Sequence, residues 1–175
     1  MIKFDFQHAH LNENLKDYQE AVTLAHTQLH EKTGAGNDFV GWVDWPLNYD
    51  HEELERILAT AQSLRGRFDV LLVCGIGGSY LGARAAIEMI RGLYCPDKPE
   101  VIFIGNTFSS TYFKQVEAYI QDKDVVLNVI SKSGTTTETA MAFRMLKQLM
   151  ENKYPAEECR QRILATTDRA RGTLK

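Results

Sequence analysis

The sequence lacks an excess of positive charge and lacks any long apolar run. Its 20 lysines and arginines are outnumbered by 23 aspartates and glutamates, giving a formal net charge of -3. Nucleic acids and anionic membrane surfaces favour a basic patch, so we expect neither as a partner. No apolar stretch approaches the ~20 residues that span a bilayer. Asp5 stands where a signal peptide would have its apolar region, so we expect a cytoplasmic protein.

The cysteines and histidines are too few and too widely spaced to predict a set of disulfide bonds or a metal site. Cys74, Cys95 and Cys159 are widely spaced and odd in number, which predicts free thiols in a reducing compartment. His26 and His30 are four residues apart, a spacing that can bind metal. No acid lies between them as in H-E-x-x-H, and no third ligand is evident. We therefore expect an exposed helix face there and no metal site.

The sequence does contain short apolar runs that alternate with helical patterns. Four runs are almost continuously apolar, at residues 69–75, 101–105, 125–130 and 163–167. Because they do not alternate with polar residues, both faces should be buried, as in a parallel sheet. Helical patterns lie between them at residues 81–91, 110–121 and 136–152. The order βαβαβαβ predicts an α/β fold with a doubly wound parallel sheet.

An α-helical N-terminal arm is predicted before this sheet. Apolar residues recur three and four apart over residues 12–31, which predicts an amphipathic helix. A second helix should begin after Asp50, with Glu53 completing its N-terminal cap. Between the two, Pro46 is expected to keep an apolar connector from being helical.

The predicted domains are an arm over residues 1–65 and an α/β domain over residues 66–175. The last residues, 168–175, follow the fourth strand and resemble the beginning of another helix. A strand followed by an unfinished helix predicts that the chain is truncated.

A glycine-rich segment, Gly-Ile-Gly-Gly-Ser-Tyr-Leu-Gly at residues 75–82, follows the first strand. Its glycines let the backbone approach a ligand, and the next helix aims free N–H groups at it. The dinucleotide pattern G-x-G-x-x-G is an alternative, but Tyr80 occupies the last glycine position. That pattern also needs an acid after the second strand, where this chain has the neutral residues 105–107. A tight turn without a ligand is a further alternative.

A second segment, Ser-Lys-Ser-Gly-Thr-Thr-Thr-Glu-Thr at residues 131–139, follows the third strand and opens the third helix. It holds five hydroxyls in seven residues, one lysine, and no acid before Glu138. Hydroxyl and N–H donors at a helix N-terminus without a competing carboxylate suit a phosphate dianion. The P-loop pattern is absent, so an ATPase is not expected. A simple N-cap is the alternative, although one hydroxyl would be enough for a cap.

Together these segments resemble the sugar isomerase (SIS) fold, and residues 75–84, 105–107 and 130–139 resemble more closely the bacterial glucose-6-phosphate isomerases. The resemblance covers most of the chain, including the arm. It implies interconversion of glucose 6-phosphate and fructose 6-phosphate in glycolysis and gluconeogenesis, through an enediol and without a cofactor. It also implies a set of substrate-binding residues, with the phosphate held mainly by the second segment: Gly78, Ser79, Ser131, Lys132, Ser133, Gly134, Thr135 and Thr136.

The resemblance also sets limits on this chain. The family's catalytic glutamate, histidine, lysine and arginine belong to sequence beyond Lys175, so no catalytic residue is assigned. The 175-residue chain is expected to bind weakly and to catalyse nothing, and full-length members are homodimers. Many relatives have an acid where this chain has Tyr80, which marks a subgroup. The alternative function is a non-catalytic SIS-domain sugar-phosphate sensor, but the arm shows no helix-turn-helix pattern or basic face.

Overall fold

A computed structural model describes residues 3, 5–10, 14–93 and 97–174. By internal contacts the chain divides into two compact units, Met1–Leu58 and Ala59–Lys175, here called the N-terminal unit and the α/β unit. The boundary expected between residues 65 and 66 stays a prediction. Cys95, expected to be a free thiol, and Asn12, the expected start of the first helix, lie outside the described residues.

The N-terminal unit is built from short helices, as predicted. A 3-10 turn at Leu15–Tyr18 leads into α1, Gln19–Glu31. Two further 3-10 turns, Asn37–Phe39 and Gly41–Val43, precede α2, Trp45–Asn48, and α3, His51–Leu64. Helix α3 begins in the N-terminal unit and ends in the α/β unit. The predicted cap of α3 is confirmed, because the Asp50 carboxylate accepts the backbone N–H of Glu53 at 2.9 Å.

The prediction that Pro46 prevents a helix is wrong. Pro46 lies in the first turn of α2. In a first turn its missing N–H would have no intrahelical partner anyway, and its fixed φ suits a helix.

The α/β unit contains one parallel sheet. Its strands are β1, Val70–Cys74; β2, Glu100–Ile104; β3, Val125–Ile130; and β4, Ile163–Thr166. All pairs are parallel and the strand order is β2-β1-β3-β4. Helices α4, Leu81–Arg91; α5, Ser110–Tyr119; and α6, Thr137–Lys153, connect them close to the predicted bounds. A short α7, Ala156–Arg162, was not predicted. The predicted α/β class with a doubly wound parallel sheet is confirmed.

The main core lies on one face of this sheet. Alternate residues of β1 and β3 point to it and pack against α5 and α6, with fully buried members Leu72, Leu127, Leu146 and Met150. Val126, on the other face of β3, is also buried. Burial on both faces explains why β1 and β3 read as continuous apolar runs.

The strand order reverses between β1 and β3. From β1 the chain crosses to β2 on one side, and it then returns to β3 on the other side of β1. The loops that follow β1 and β3 therefore diverge at the carboxyl edge of the sheet. In open α/β sheets ligands bind at such a switch point.

The prediction that residues 168–175 begin a helix is wrong for the described residues 168–174, which form bends and turns. The Asp168 carboxylate Oδ1 accepts the N–H groups of Ala170 and Arg171 at 2.8 and 2.9 Å. Such bonds occur both in turns and at helix N-caps, so they do not by themselves exclude a helix. Gly172 then adopts a φ of 108°, which no α-helix contains.

Candidate functional site

The glycine loop, residues 75–80, leaves β1 and enters α4 through a 3-10 turn at Gly77–Ser79. Gly77 has a φ of 56°, a left-handed conformation that favours glycine. Gly78 is exposed and Ser79 is half-buried. No side chain caps α4 at Tyr80. The loop therefore presents backbone and one hydroxyl at the switch point between β1 and β3.

Gly75 brings the glycine loop close to the end of β3. A Cβ at this position would stand 3.2 Å from the Ile130 carbonyl oxygen and 3.1 Å from the Ser79 Cβ. Both contacts are tighter than side chains usually make, so glycine permits the approach. As a result the glycine loop lies directly beside the segment that follows Ile130.

The Ser/Thr loop, residues 131–136, is organised by its own hydroxyls. The buried Ser131 Oγ accepts the N–H of Gly134 at 3.1 Å. The exposed Ser133 Oγ accepts from the N–H and the hydroxyl of Thr135, at 3.2 and 2.9 Å. A hydroxyl has two acceptor sites and one proton. Ser133 therefore has its proton left to donate, which suits an anionic ligand.

The N-terminus of α6 is not used up by a side-chain cap. Thr136 is the N-cap residue in an extended conformation, yet its hydroxyl makes no capping hydrogen bond. The 17-residue helix therefore points its first N–H groups and the positive end of its dipole at the space beside the loop. An anion at that position would satisfy them.

Charge around the loop is favourable overall but not purely positive. Lys132 is exposed, and within the described residues its ammonium forms no ion pair. Asp168 is close enough for Lys132 to contribute to a lowered carboxyl pKa, although the larger causes are the hydrogen bonds from Ala170 and Arg171. Lys132 is therefore placed to attract an anion, with the Asp168 carboxylate as a nearby competitor for its charge.

The C-terminal turn, residues 167–174, lies against the Ser/Thr loop. Thr167 donates its hydroxyl to the Ser131 carbonyl oxygen at 2.8 Å, and the N–H of Thr173 donates to the Ser133 carbonyl oxygen at 3.1 Å. Sequence reasoning did not identify these residues as part of the site. The available signal was a hydroxyl just after the fourth strand, at the same edge of the sheet as the other two loops.

Tyr80 and Asn106 occupy the region where a dinucleotide site would need a glycine and an acid. The Tyr80 side chain is buried, its ring packs 5.4 Å from that of Phe103, and its hydroxyl accepts from the Asn106 amide at 3.2 Å. The neutral amide after β2 cannot accept both ribose hydroxyls as a carboxylate does. This arrangement disfavours the nicotinamide alternative.

Cys74, at the end of β1, and Gly105, directly after β2, pack closely together next to the glycine loop. The Cys74 thiol is 3.7 Å from the Thr139 carbonyl oxygen, and burial raises its pKa to about 12. A Cβ on Gly105 would stand 2.9 Å from the Cys74 sulfur, so glycine is needed there for packing. Such a thiol stays protonated at neutral pH and is a packing group rather than a nucleophile.

Other features of the described residues involve different side chains. A groove of about 860 Å³ runs along β2 and is lined by residues such as Arg84, Glu100 and Tyr112, but by none of the predicted site residues. The rings of His26 and His30 are 4.2 Å apart. No group of three or more histidine, cysteine or acidic side chains within the described ranges is placed to hold a metal ion. Across those ranges, no helix combines the length and apolarity needed to cross a bilayer.

Comparison with known proteins finds glucose-6-phosphate isomerases among the relatives. The glucose-6-phosphate isomerases of Staphylococcus aureus strains Newman and Mu3 are each 55% identical to this chain over 163 residues. That alignment covers 92% of this chain and 37% of the relatives, so the chain spans little more than a third of their length. The predicted resemblance to bacterial glucose-6-phosphate isomerases is confirmed. No family model matches the chain.

Solved structures support the fold. A crystal structure of a glucose-6-phosphate isomerase from Chlamydia trachomatis has a TM-score of 0.56 and 28% identity, covering 73% of this chain and 26% of that one. A hypothetical protein from Thermus thermophilus has a TM-score of 0.75 over 91% of this chain and 36% of its own. At 22% identity, that second likeness shows the fold alone.

Proposed function

We propose that this chain supplies the phosphate-binding part of a glucose-6-phosphate isomerase, which interconverts glucose 6-phosphate and fructose 6-phosphate. The observation that carries the proposal is the pairing of two loops at one switch point. The Ser/Thr loop, beside the uncapped N-terminus of α6, adjoins the glycine loop where Gly75 approaches Ile130. The identity to the S. aureus enzymes over most of the chain supports the same function.

The phosphate of the substrate would lie against the Ser/Thr loop. Ser133 would donate its remaining hydroxyl proton, and Lys132 would supply a positive charge. Backbone N–H groups and hydroxyls of the loop would complete the donor set, drawn from Ser131, Gly134, Thr135 and Thr136. The sugar would extend toward Gly78 and Ser79. A phosphate held in this way is remote from the reacting carbons, so its binding energy positions them for proton transfer.

The proton transfer itself needs groups that we place outside this chain. Isomerisation through an enediol requires a general base within hydrogen-bond reach of the C1 and C2 protons. By resemblance that base is a glutamate, acting with a histidine, a lysine and an arginine from sequence beyond Lys175. We therefore propose that the 175-residue chain binds sugar phosphate weakly without turnover, that the full-length enzyme is a cytoplasmic homodimer, and that no cofactor takes part.

A calorimetric titration tests the phosphate site. The chain is titrated with fructose 6-phosphate, with fructose and with NADH, and the first titration is repeated for Ser133→Ala. A lost hydrogen bond to a charged group should weaken fructose 6-phosphate binding by about tenfold or more. Ser63→Ala is the matched control, because the exposed Ser63 hydroxyl donates only to the Thr60 carbonyl oxygen of α3. Its affinity should equal that of the wild type.

The other outcomes are equally informative. Binding of NADH without binding of fructose 6-phosphate would mean that the glycine loop is a dinucleotide turn. Equal affinity for fructose and fructose 6-phosphate would mean that the phosphate group does not contribute to binding. Isomerisation by the chain alone would show that catalytic groups lie within it, against the assignment made above.

A further inference from the structure

The C-terminal turn contacts three successive carbonyl groups of the Ser/Thr loop. The Thr167 hydroxyl lies 2.8 Å from the Ser131 carbonyl oxygen and 3.5 Å from that of Lys132. The Thr173 N–H lies 3.1 Å from the Ser133 carbonyl oxygen. The carbonyls of Ser131, Lys132 and Ser133 therefore all face the turn.

This orientation decides what the loop offers on its other side. In a planar trans peptide the C=O of one residue and the N–H of the next point in opposite directions. Carbonyls held toward the turn thus direct the N–H groups of Lys132 and Ser133 away from it. A phosphate is repelled by carbonyl oxygens and attracted by N–H groups. The loop therefore has its carbonyl acceptors on the side that faces the turn and its N–H donors on the opposite side, where a phosphate could bind.

Two glycines permit the turn to come this close. A Cβ on Gly172, whose φ is 108°, would stand 2.9 Å from the Ser133 carbonyl oxygen. A Cβ on Gly134, whose φ is 71°, would stand 2.8 Å from the Thr173 nitrogen. Any other residue at either position would push the turn and the loop apart.

The turn is itself fixed at both ends. At its beginning the Asp168 carboxylate accepts the N–H groups of Ala170 and Arg171. At its end Leu174 packs against the hydrophobic core of the α/β unit. The contacts with the Ser/Thr loop are therefore held by an anchored segment rather than by a loose tail.

We propose that the C-terminal turn is a positioning element for the Ser/Thr loop, and that the Thr167 hydroxyl is its principal contact. This inference rests on the proposed function, since it assigns the loop a ligand. It adds Thr167 and the Gly172–Thr173 peptide to the residues that determine affinity for the phosphate group without touching it.

The test compares Thr167→Val with Thr166→Val in the full chain. Valine keeps the shape of threonine and removes the hydroxyl. Thr166 is the matched control because its hydroxyl bonds the Asn128 side chain at 3.2 Å and not the loop. Thr167→Val should weaken fructose 6-phosphate binding by about fivefold, as expected for one lost hydrogen bond, whereas Thr166→Val should stay within about twofold. Thr167→Ser, which keeps the hydroxyl, should restore the wild-type affinity.

A second readout needs no ligand. The amides of Gly134 and Thr135 are bonded to Ser131 and Ser133 hydroxyls, so their exchange with water, followed by NMR, reports the order of the loop. Thr167→Val should speed that exchange by about fivefold, with no change in Thr166→Val. Unchanged exchange and affinity in Thr167→Val would overturn the inference. If the wild-type chain binds no sugar phosphate, the proposed function fails for this chain. In that case the exchange rates of the Gly134 and Thr135 amides alone test the positioning role. Equal rates in Thr167→Val and Thr166→Val would overturn it.

Discussion

Substitution of Gly134 by alanine tests whether the loop and the C-terminal turn are in contact. Gly134 has a φ of 71°, and a Cβ there would overlap the Thr173 hydroxyl. It would also stand 2.8 and 2.9 Å from the backbone nitrogens of Thr173 and Leu174. A side chain can rotate out of such a clash, but two backbone nitrogens cannot, so the turn has to move.

The expected cost has two parts. Alanine in a left-handed conformation costs roughly 1–2 kcal/mol. Moving the turn breaks the hydrogen bond from the Thr173 N–H to the Ser133 carbonyl, worth about 1 kcal/mol. It also withdraws part of Leu174 from the core, which costs about another 1 kcal/mol. Gly134→Ala should therefore lower the free energy of unfolding by roughly 3–4 kcal/mol.

Gly66→Ala isolates the first part of that cost. Gly66 has a φ of 74°, nearly that of Gly134, but no atom lies within 4 Å of its Cβ position. It should lose only the roughly 1–2 kcal/mol of backbone strain. The difference between the two variants, about 2 kcal/mol, measures the contact with the turn.

Urea unfolding followed by far-UV circular dichroism is the appropriate assay. Both tryptophans, Trp42 and Trp45, lie in the N-terminal unit, whereas far-UV circular dichroism detects the helices and strands of the α/β unit directly. Equal losses of stability in Gly134→Ala and Gly66→Ala would refute the reasoning, because the turn would then not be packed against the loop.

Three further predictions concern buried polar groups of the α/β unit. Tyr154→Phe removes the acceptor of the buried Val125 N–H, at 2.8 Å, and should cost about 1–3 kcal/mol by urea unfolding; Tyr119→Phe, which loses only an exposed contact to Glu100, should cost less than about 0.5 kcal/mol. Thr139→Val replaces a hydroxyl that is 1% exposed and has no hydrogen-bond partner, so the same assay should show unchanged stability or a gain of up to about 1 kcal/mol. Because burial raises the Cys74 pKa to about 12, a thiol reagent at pH 8 should label Cys74 only after unfolding in urea, as read by peptide mapping, and rapid labelling of the native chain would contradict the burial.

The strands could be predicted from their continuous apolar runs, which match burial on both faces in the central strands β1 and β3. β3 was predicted with its observed bounds, and β4 differed by one residue at its end. The helices with a clear apolar stripe or a glycine stop, such as α4 closed by Gly92, were also predicted. Each of these signals is local, since a run of apolar residues or a left-handed glycine carries its meaning without knowledge of the rest of the fold.

Elements that depend on tertiary contacts could not be predicted in the same way. The seven residues of α7 are mostly charged, and only Cys159 among them is buried, so no apolar stripe indicates a helix. The C-terminal turn has one glycine and a helix-compatible composition, yet Gly172 has a φ of 108° and the N–H of Thr173 donates to the Ser133 carbonyl oxygen of the Ser/Thr loop. Pro46 misled for the opposite reason, since a proline ends a helix from within but also begins one.

For the candidate site, the sequence indicated which residue types follow β3. It did not indicate which of their hydrogen-bonding groups are used inside the loop and which remain for a ligand. Of the five hydroxyls in seven residues, the sequence reading placed four on the phosphate, those of Ser131, Ser133, Thr135 and Thr136. In the structure Ser131 and Ser133 use their oxygens to accept bonds from Gly134 and Thr135. An oxygen that accepts inside the loop leaves its proton to point outward, so internal order and donation to an anion are compatible in one hydroxyl. Ser133 can therefore shape the loop and bind a ligand at once, and removing its hydroxyl should affect both.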